Sequence, residues 1–484
     1  MARNFQLMNA IRKISKLRFN AIAGYIRKLS SYAISEELKW YEDANSRVLG
    51  VLLLDLIDGD FGGIVLGRDV DRKFRAVDVT NFSHDPAIAE ATLLAALEEW
   101  SRRPDEAFEQ GDETIEPVDF FTPIVTADKL NDAFARVAGA EHFSPARALI
   151  EEMMHHYEDV DGNFVEQFQS SAFDARFWEL YLFALLTEQQ FVFDRSYVAP
   201  DFLCEGLIQD IFVEAVTVNP ARRGNLIIEP AVPDAGGKLT DYLREYMPIK
   251  WAGALTAKLS KEYWNLPHVQ DRPIVFAVQD FHAPRAMTFT GSTIVSYLYG
   301  RAFTALYDHQ GRLVVKSYPI QEHQWGTKVV HSGFFNLPNA ERISAVIQNP
   351  TATISKFNRM ARLAGLGSLD VRMLRFGTAY RADKNAALPL VYKQLVGEPG
   401  YAETWCEGLN VYHNPTALHP LDPKLFPEAM HFTLRGENVI HTVPDFHPYS
   451  AETVMLVPRR DKDPQLARNR EPRGALPRVA PSRL

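Results

Sequence analysis

Cysteine is almost missing from this chain of 484 residues, with only Cys204 and Cys406. Two thiols exclude a disulfide framework and a cysteine-based zinc site, and they fit a reducing, cytoplasmic setting. No stretch approaches the roughly 18 consecutive apolar residues of a membrane span. There is no GxxxxGK[ST] phosphate loop and no GxSxG elbow, and the isolated GLG at 365–367 is no dinucleotide fingerprint. What is present is ordinary for a globular protein, with 46 % hydrophobic and 23 % charged residues. That length predicts two to four domains.

Charge is spread unevenly. Residues 1–35 hold Arg3, Arg12, Lys13, Lys16, Arg18, Arg27 and Lys28 and no acid. Residues 458–484 hold eight Lys/Arg against Asp461, Asp463 and Glu471. The chain totals −9, so the stretch between these ends carries −21. We read 1–35 as a basic N-terminal extension and 458–484 as a disordered basic tail.

Between the ends, 36–165 reads as an α+β domain. A strand meander spans 47–79, with DGDFGG as a turn. A helix at 86–101 shows apolar spacing at Ile88, Leu93, Leu94 and Leu97. Further helices are expected at 127–137 and 144–157.

Chemistry concentrates in the next region, 166–355. The helix at 171–188 is apolar on nearly every face, yet it carries Glu179. A strand QFVFD and then Pro200-Asp201 follow. The run IFVEAVTV at 211–218 places Glu214 among apolar strand residues, on one face with Phe212 and Val216. Burying a bare carboxylate is costly, so each acid needs a partner. One shared divalent cation would serve all three, and hard oxygen donors suit Mg²⁺ or Mn²⁺. A helix near 252–264 and a strand PIVFAVQDF at 273–281 complete a helix–strand–strand–helix–strand order. That order predicts an α/β fold, a central mixed sheet flanked by helices.

A helix Glu, then Pro-Asp, then a strand Glu thirteen residues after the Asp resembles the PD-(D/E)XK nuclease superfamily, with its restriction-endonuclease-like fold. The resemblance spans about 170–285. It implies that Glu179, Asp201 and Glu214 and the backbone carbonyl of Ala215 hold magnesium. The family's catalytic lysine would stand two residues after Glu214, where this chain has Val216. Lysines displaced to another element are a variation within that superfamily. Lys258 fits such a role here, because helical spacing groups it with Leu255, Leu259 and Glu262. The implied activity is metal-dependent endonucleolytic cleavage of DNA in restriction, repair or defence, with RNA left open as substrate. Val216 keeps an alternative alive, a nuclease-like nucleic-acid-binding or scaffold protein without turnover. The chain also resembles a set of bacterial proteins that share runs such as KFNRM and YLYG, which implies no activity.

Nucleic acid needs a local cationic track in so acidic a chain. Residues 356–457 are read as a β-rich accessory domain opening on such a track, with Lys356, Arg359, Arg362, Arg372 and Arg375 as expected contacts. Gln279 and Asp280 are expected to face the catalytic cleft. A homodimer or a protein partner is possible on this reading, and a membrane is not.

Overall fold

The computed structural model describes residues 11–104, 107–111, 113, 119–160, 162–224, 226–234, 236–383 and 385–456. The tail at 458–484 and the first ten residues lie outside them. No helix among the described residues is long and apolar enough to cross a membrane.

Five antiparallel strands form the N-terminal sheet in chain order: β1 (Arg12–Ile14), β2 (Ser35–Glu42), β3 (Val48–Asp55), β4 (Phe61–Arg68) and β5 (Phe74–Val79). Helix α1 (Lys16–Ala23) lies in the connection from β1 to β2, and α2 (Pro86–Ser101) lies across the sheet. The α2 stripe is Ala89, Leu93 and Leu97, whereas Ile88 is exposed. Gly50 and Gly63 let the helix come down on the strands, since a Cβ at either position would stand 2.5 or 2.8 Å from Leu97 or Leu93.

Residues 11–35 are not an extension. Phe19, Ile22 and Ala23 of α1 are buried in the main core. The arginines there are matched: Arg12 and Arg18 bond Glu42, and Arg27 makes two bonds to Glu37. Acids from the following strand therefore fold this segment in.

Helices α3 (Ser144–His156) and α4 (Phe173–Glu188) lead to the central sheet. Its strands in chain order are β6 (Val192–Asp194), β7 (Phe202–Glu205), β8 (Ile211–Val218), β9 (Ile274–Asp280) and β10 (Ala345–Gln348). Helix α5 (Met247–Leu259) falls between β8 and β9, and α6 (Ile354–Leu363) follows β10. A separate three-stranded sheet is built from β11 (Arg372–Ala379), β12 (Leu390–Leu395) and the final strand, β16 (Glu452–Leu456). Between those, β13 (Asn410–His413), β14 (Met430–Arg435) and β15 (Asn438–Thr442) return to the central sheet.

The central sheet order is β15-β14-β13-β10-β9-β8-β7-β6. Strands β8, β9 and β10 run parallel, and β6, β7 and β8 are joined antiparallel. The protein is thus mixed α/β with a mixed central sheet flanked by helices. Every residue of β9 is buried, as a central parallel strand covered on both faces requires. Alternation sends Val213 and Ala277 toward α4, while Phe212, Val216, Phe276 and Val278 pack with Trp251 and Leu255 of α5. Trp178 of α4 also donates to the Ala277 carbonyl at 2.8 Å. Because β13–β15 extend this sheet to residue 442, the region after 356 is not a separate accessory domain. Among the described strands after 356, those of the three-stranded sheet stand outside the central sheet.

Candidate active site

The pairing of β7 with β8 begins at Phe202↔Val213 and runs away from Glu214. Beyond that point β8 has no strand neighbour on the β7 side, and its backbone donors there need other acceptors. Asp201, one residue before β7, supplies one. Its Oδ2 accepts from the Ala215 amide at 2.7 Å, and its own amide donates to Glu214 Oε2 at 3.3 Å. The fork between the two strands thus brings Asp201 and Glu214 together.

Glu214 is buried on the α5 face of the sheet, where Oε1 takes the Lys258 ammonium and the Tyr263 hydroxyl, the latter at 2.6 Å. The inward placement of Lys258 follows from Leu255 and Leu259, which bury the same side of α5. Val216 is buried among apolar neighbours on that face, so Lys258 is the ammonium group that reaches Glu214. Tyr263 lies just past the end of α5, where helical spacing no longer indicates a direction. Burial and the Glu214 charge push its phenol well up.

Glu179 comes from the other layer. It is buried in the middle of α4 and bonds Arg176 at 2.7 Å and the Tyr157 hydroxyl at 3.3 Å. Burial outweighs these partners and raises its carboxyl above the ordinary range. Arg176, three residues earlier on the same helix, was a partner legible from spacing alone.

Asp201 stands between the layers. Burial, then Glu214, then Glu179 push its carboxyl well above the usual aspartate range, against the pull of Lys258 and the Ala215 amide. The three acids therefore share one field, although no group of three or more His, Cys, Asp or Glu among the described residues is arranged to hold a metal ion. Arg195 stacks beside them, with its guanidinium 4.7 Å from the Tyr157 ring and 4.8 Å from Phe202. Its Nη1 donates to the Asp201 carbonyl at 3.0 Å, and its Nη2 is buried with no hydrogen-bond partner among the described residues.

No family model, curated protein or solved structure matches this chain. Its chemistry has to be read from these side chains.

Two other groups of expected site residues lie elsewhere. Gln279 donates to the Asn349 carbonyl at 2.6 Å. Asp280 is buried against His282 and Thr290, at 2.7 Å each. Neither belongs to the carboxylate cluster.

The cationic track is also corrected. Lys356, Arg359 and Arg375 are wholly buried. Arg359 makes a two-point bond to Glu403 at 2.7 and 2.8 Å, and Arg375 bonds Glu407 at 2.5 Å. Lys356 donates to the Glu407 carbonyl at 2.9 Å and lies 3.7 Å from the Glu403 carboxylate. These three cannot meet nucleic acid at the surface, because they are enclosed in the core around Glu403 and Glu407, two acids distant in sequence. Arg372 is exposed and Arg362 half-buried.

Proposed function

We propose that this protein is a divalent-cation-dependent nuclease of the PD-(D/E)XK type, cutting phosphodiester bonds in DNA or RNA. The observation that carries the reading is the meeting of Asp201 and Glu214 at the β7/β8 fork with Lys258 on Glu214. The order α4-β6-β7-β8-α5-β9 around them agrees with the restriction-endonuclease-like fold that the motif implies.

The donor chemistry fits magnesium or manganese. All the donors are hard oxygens, and burial beside Glu214 and Glu179 disfavours the Asp201 carboxylate in a way that a bound divalent cation would relieve. Asp201 and Glu214 would hold it with the Ala215 carbonyl, while Glu179, tied to Arg176 and Tyr157, adds its field rather than a ligand. When bound, the ion lowers the pKa of its water and neutralises phosphate charge. Lys258, tied to Glu214, orients the attacking water and can hold or release its proton. Tyr263 fixes the Glu214 carboxylate, and Arg195 holds the Asp201 backbone. The unmatched Nη2 of Arg195 is a donor suited to an anion.

The test is cleavage of supercoiled plasmid, linear duplex, single-stranded DNA and RNA with Mg²⁺, Mn²⁺ or EDTA. Metal-dependent cutting is expected, and Asp201→Asn and Glu214→Gln should each abolish it. Cutting that survives in both variants would overturn the assignment. Val216 in the usual lysine position favours one second reading, a binding module without turnover, which nucleic-acid binding with no cutting under any metal would establish.

A further inference from the structure

The two connections that build the fork each carry a second residue to a common spot. The loop after β6 delivers Asp201 to the site and, four residues earlier, Tyr197. The connection from α5 to β9 delivers Tyr263 to Glu214 and, five residues later, His268. Tyr197 lies flat on the His268 imidazole, with ring centroids 3.8 Å apart and planes 10° from parallel. His268 is fixed in turn: its Nε2 sits 2.8 Å from the Ala199 carbonyl, and its ring packs against Phe212. The stack is therefore braced on the same two loops that position Asp201 and Glu214.

Tyr197 is nevertheless 44 % exposed, and Val198 beside it is 66 % exposed. No other ring stacks on Tyr197, and its hydroxyl makes no hydrogen bond among the described residues. A flat, oriented, solvent-facing aromatic ring needs no burial of its own to hold its pose here. Four residues of extended chain span at most about 14 Å, so the ring lies within one or two nucleotides of Asp201.

Resting on the nuclease reading above, we propose that the Tyr197–His268 stack is a base-stacking platform beside the scissile phosphate. The substrate class it selects is a strand with an unpaired base at the cut: a single strand, a flap, or a base drawn out of a duplex. Stacking of this kind tolerates any base, because each has a π-face. Removing one such contact lowers affinity by roughly tenfold.

The test uses the full chain and oligonucleotides of DNA and of RNA. Tyr197→Ala should lower kcat/KM on single strands about tenfold, and Tyr197→Phe, which keeps the ring, should recover most of that loss. An abasic position next to the cut should slow the wild type to the level of Tyr197→Ala and leave Tyr197→Ala unaffected. Binding is read separately in Asp201→Asn protein, where 2-aminopurine at that position should be quenched only when Tyr197 is present. Equal kcat/KM for wild type and Tyr197→Ala, or quenching that survives Tyr197→Ala, overturns the platform. Absence of cutting by the wild type removes the nuclease reading, while Tyr197-dependent quenching in the same experiment still upholds the stacking site. DNA and RNA arms that differ identify the natural strand.

Discussion

Two buried charge clusters in this protein use the same residue types to opposite effect. Around Glu403, burial pushes the carboxyl up, but Arg359, Arg375 and Lys356 overcome it and hold the group well below the carboxylate range. Around Asp201, burial is reinforced by two more acids and the carboxyl goes well above it. The first cluster sets Lys356, Arg359 and Arg375 around Glu403 and Glu407 and closes the core between α6 and the three-stranded sheet. In the second, Arg176 pairs Glu179 and Lys258 pairs Glu214, while Asp201 has no ion-pair partner among the described residues. A carboxylate enclosed by cations holds structure in place, while one without a counter-ion of its own has capacity left for a ligand.

The contrast breaks most severely at Glu403. Glu403→Ala leaves Arg359 buried without its two-point partner and should cost about 3–5 kcal/mol of stability. Denaturant unfolding measures this, and a loss below about 1 kcal/mol would show that the cluster is not a staple. The carboxylate site should respond in activity as well. On the nuclease reading, Lys258→Met should slow cutting roughly hundredfold, as loss of a proton-transfer group does, and should cost about 1–3 kcal/mol of stability, because the buried Glu214 carboxylate keeps only the Tyr263 hydroxyl and the Asp201 amide. A large stability loss with unchanged turnover would make Lys258 a structural partner of Glu214 only.

The smallest effect sharpens the boundary between the clusters. Glu188 ends α4, nine residues after Glu179, and its carboxylate accepts from the Trp405 and Cys406 amides at 2.9 and 2.8 Å. Burial lifts it to about 7 against those amides and Lys356, with Glu428 adding to the rise. The folded state thus binds the proton more tightly than the unfolded chain. Stability should fall as pH climbs from the ordinary glutamate range to about 7, then level off. Glu188→Gln should remove that slope from the difference between the two proteins' unfolding curves, and an unchanged slope would place the titration elsewhere.

Much of the carboxylate site was legible because its signals are local. A lone Glu in an apolar helix and another in an apolar strand stand out by burial cost. Lys258 points inward because its helix neighbours are apolar. The fold followed equally well where runs were unbroken, as in β8 and β9. What could not be read depends on distant partners. The repeat of Lys356, Arg359 and Arg362 has the pattern of a solvated face, and only the three-dimensional return of Glu403 and Glu407 turns two of those residues inward. The basic stretch 11–35 misled for the same reason, since Glu37 and Glu42 lie on a strand that folds back over it. Strands β13–β15 are short and follow a long irregular segment, so nothing local assigns them to the central sheet. Tyr263 opens a single 3-10 turn and Arg195 sits in a loop, where no periodicity gives a direction.

The hairpin from Asp201 to Glu214 also sets where this chain can change length. Its turn closes at Gly206, whose amide bonds Asp210 and where a Cβ would stand 2.8 Å from the Gln209 carbonyl. An inserted residue within β7 would slide Asp201 past Ala215 and reverse the faces of the strand. An insertion at 207–209 lengthens the turn and leaves the register intact. Drift in length should therefore collect at the tip of this hairpin, while the thirteen-residue interval from Asp to Glu can lengthen only there.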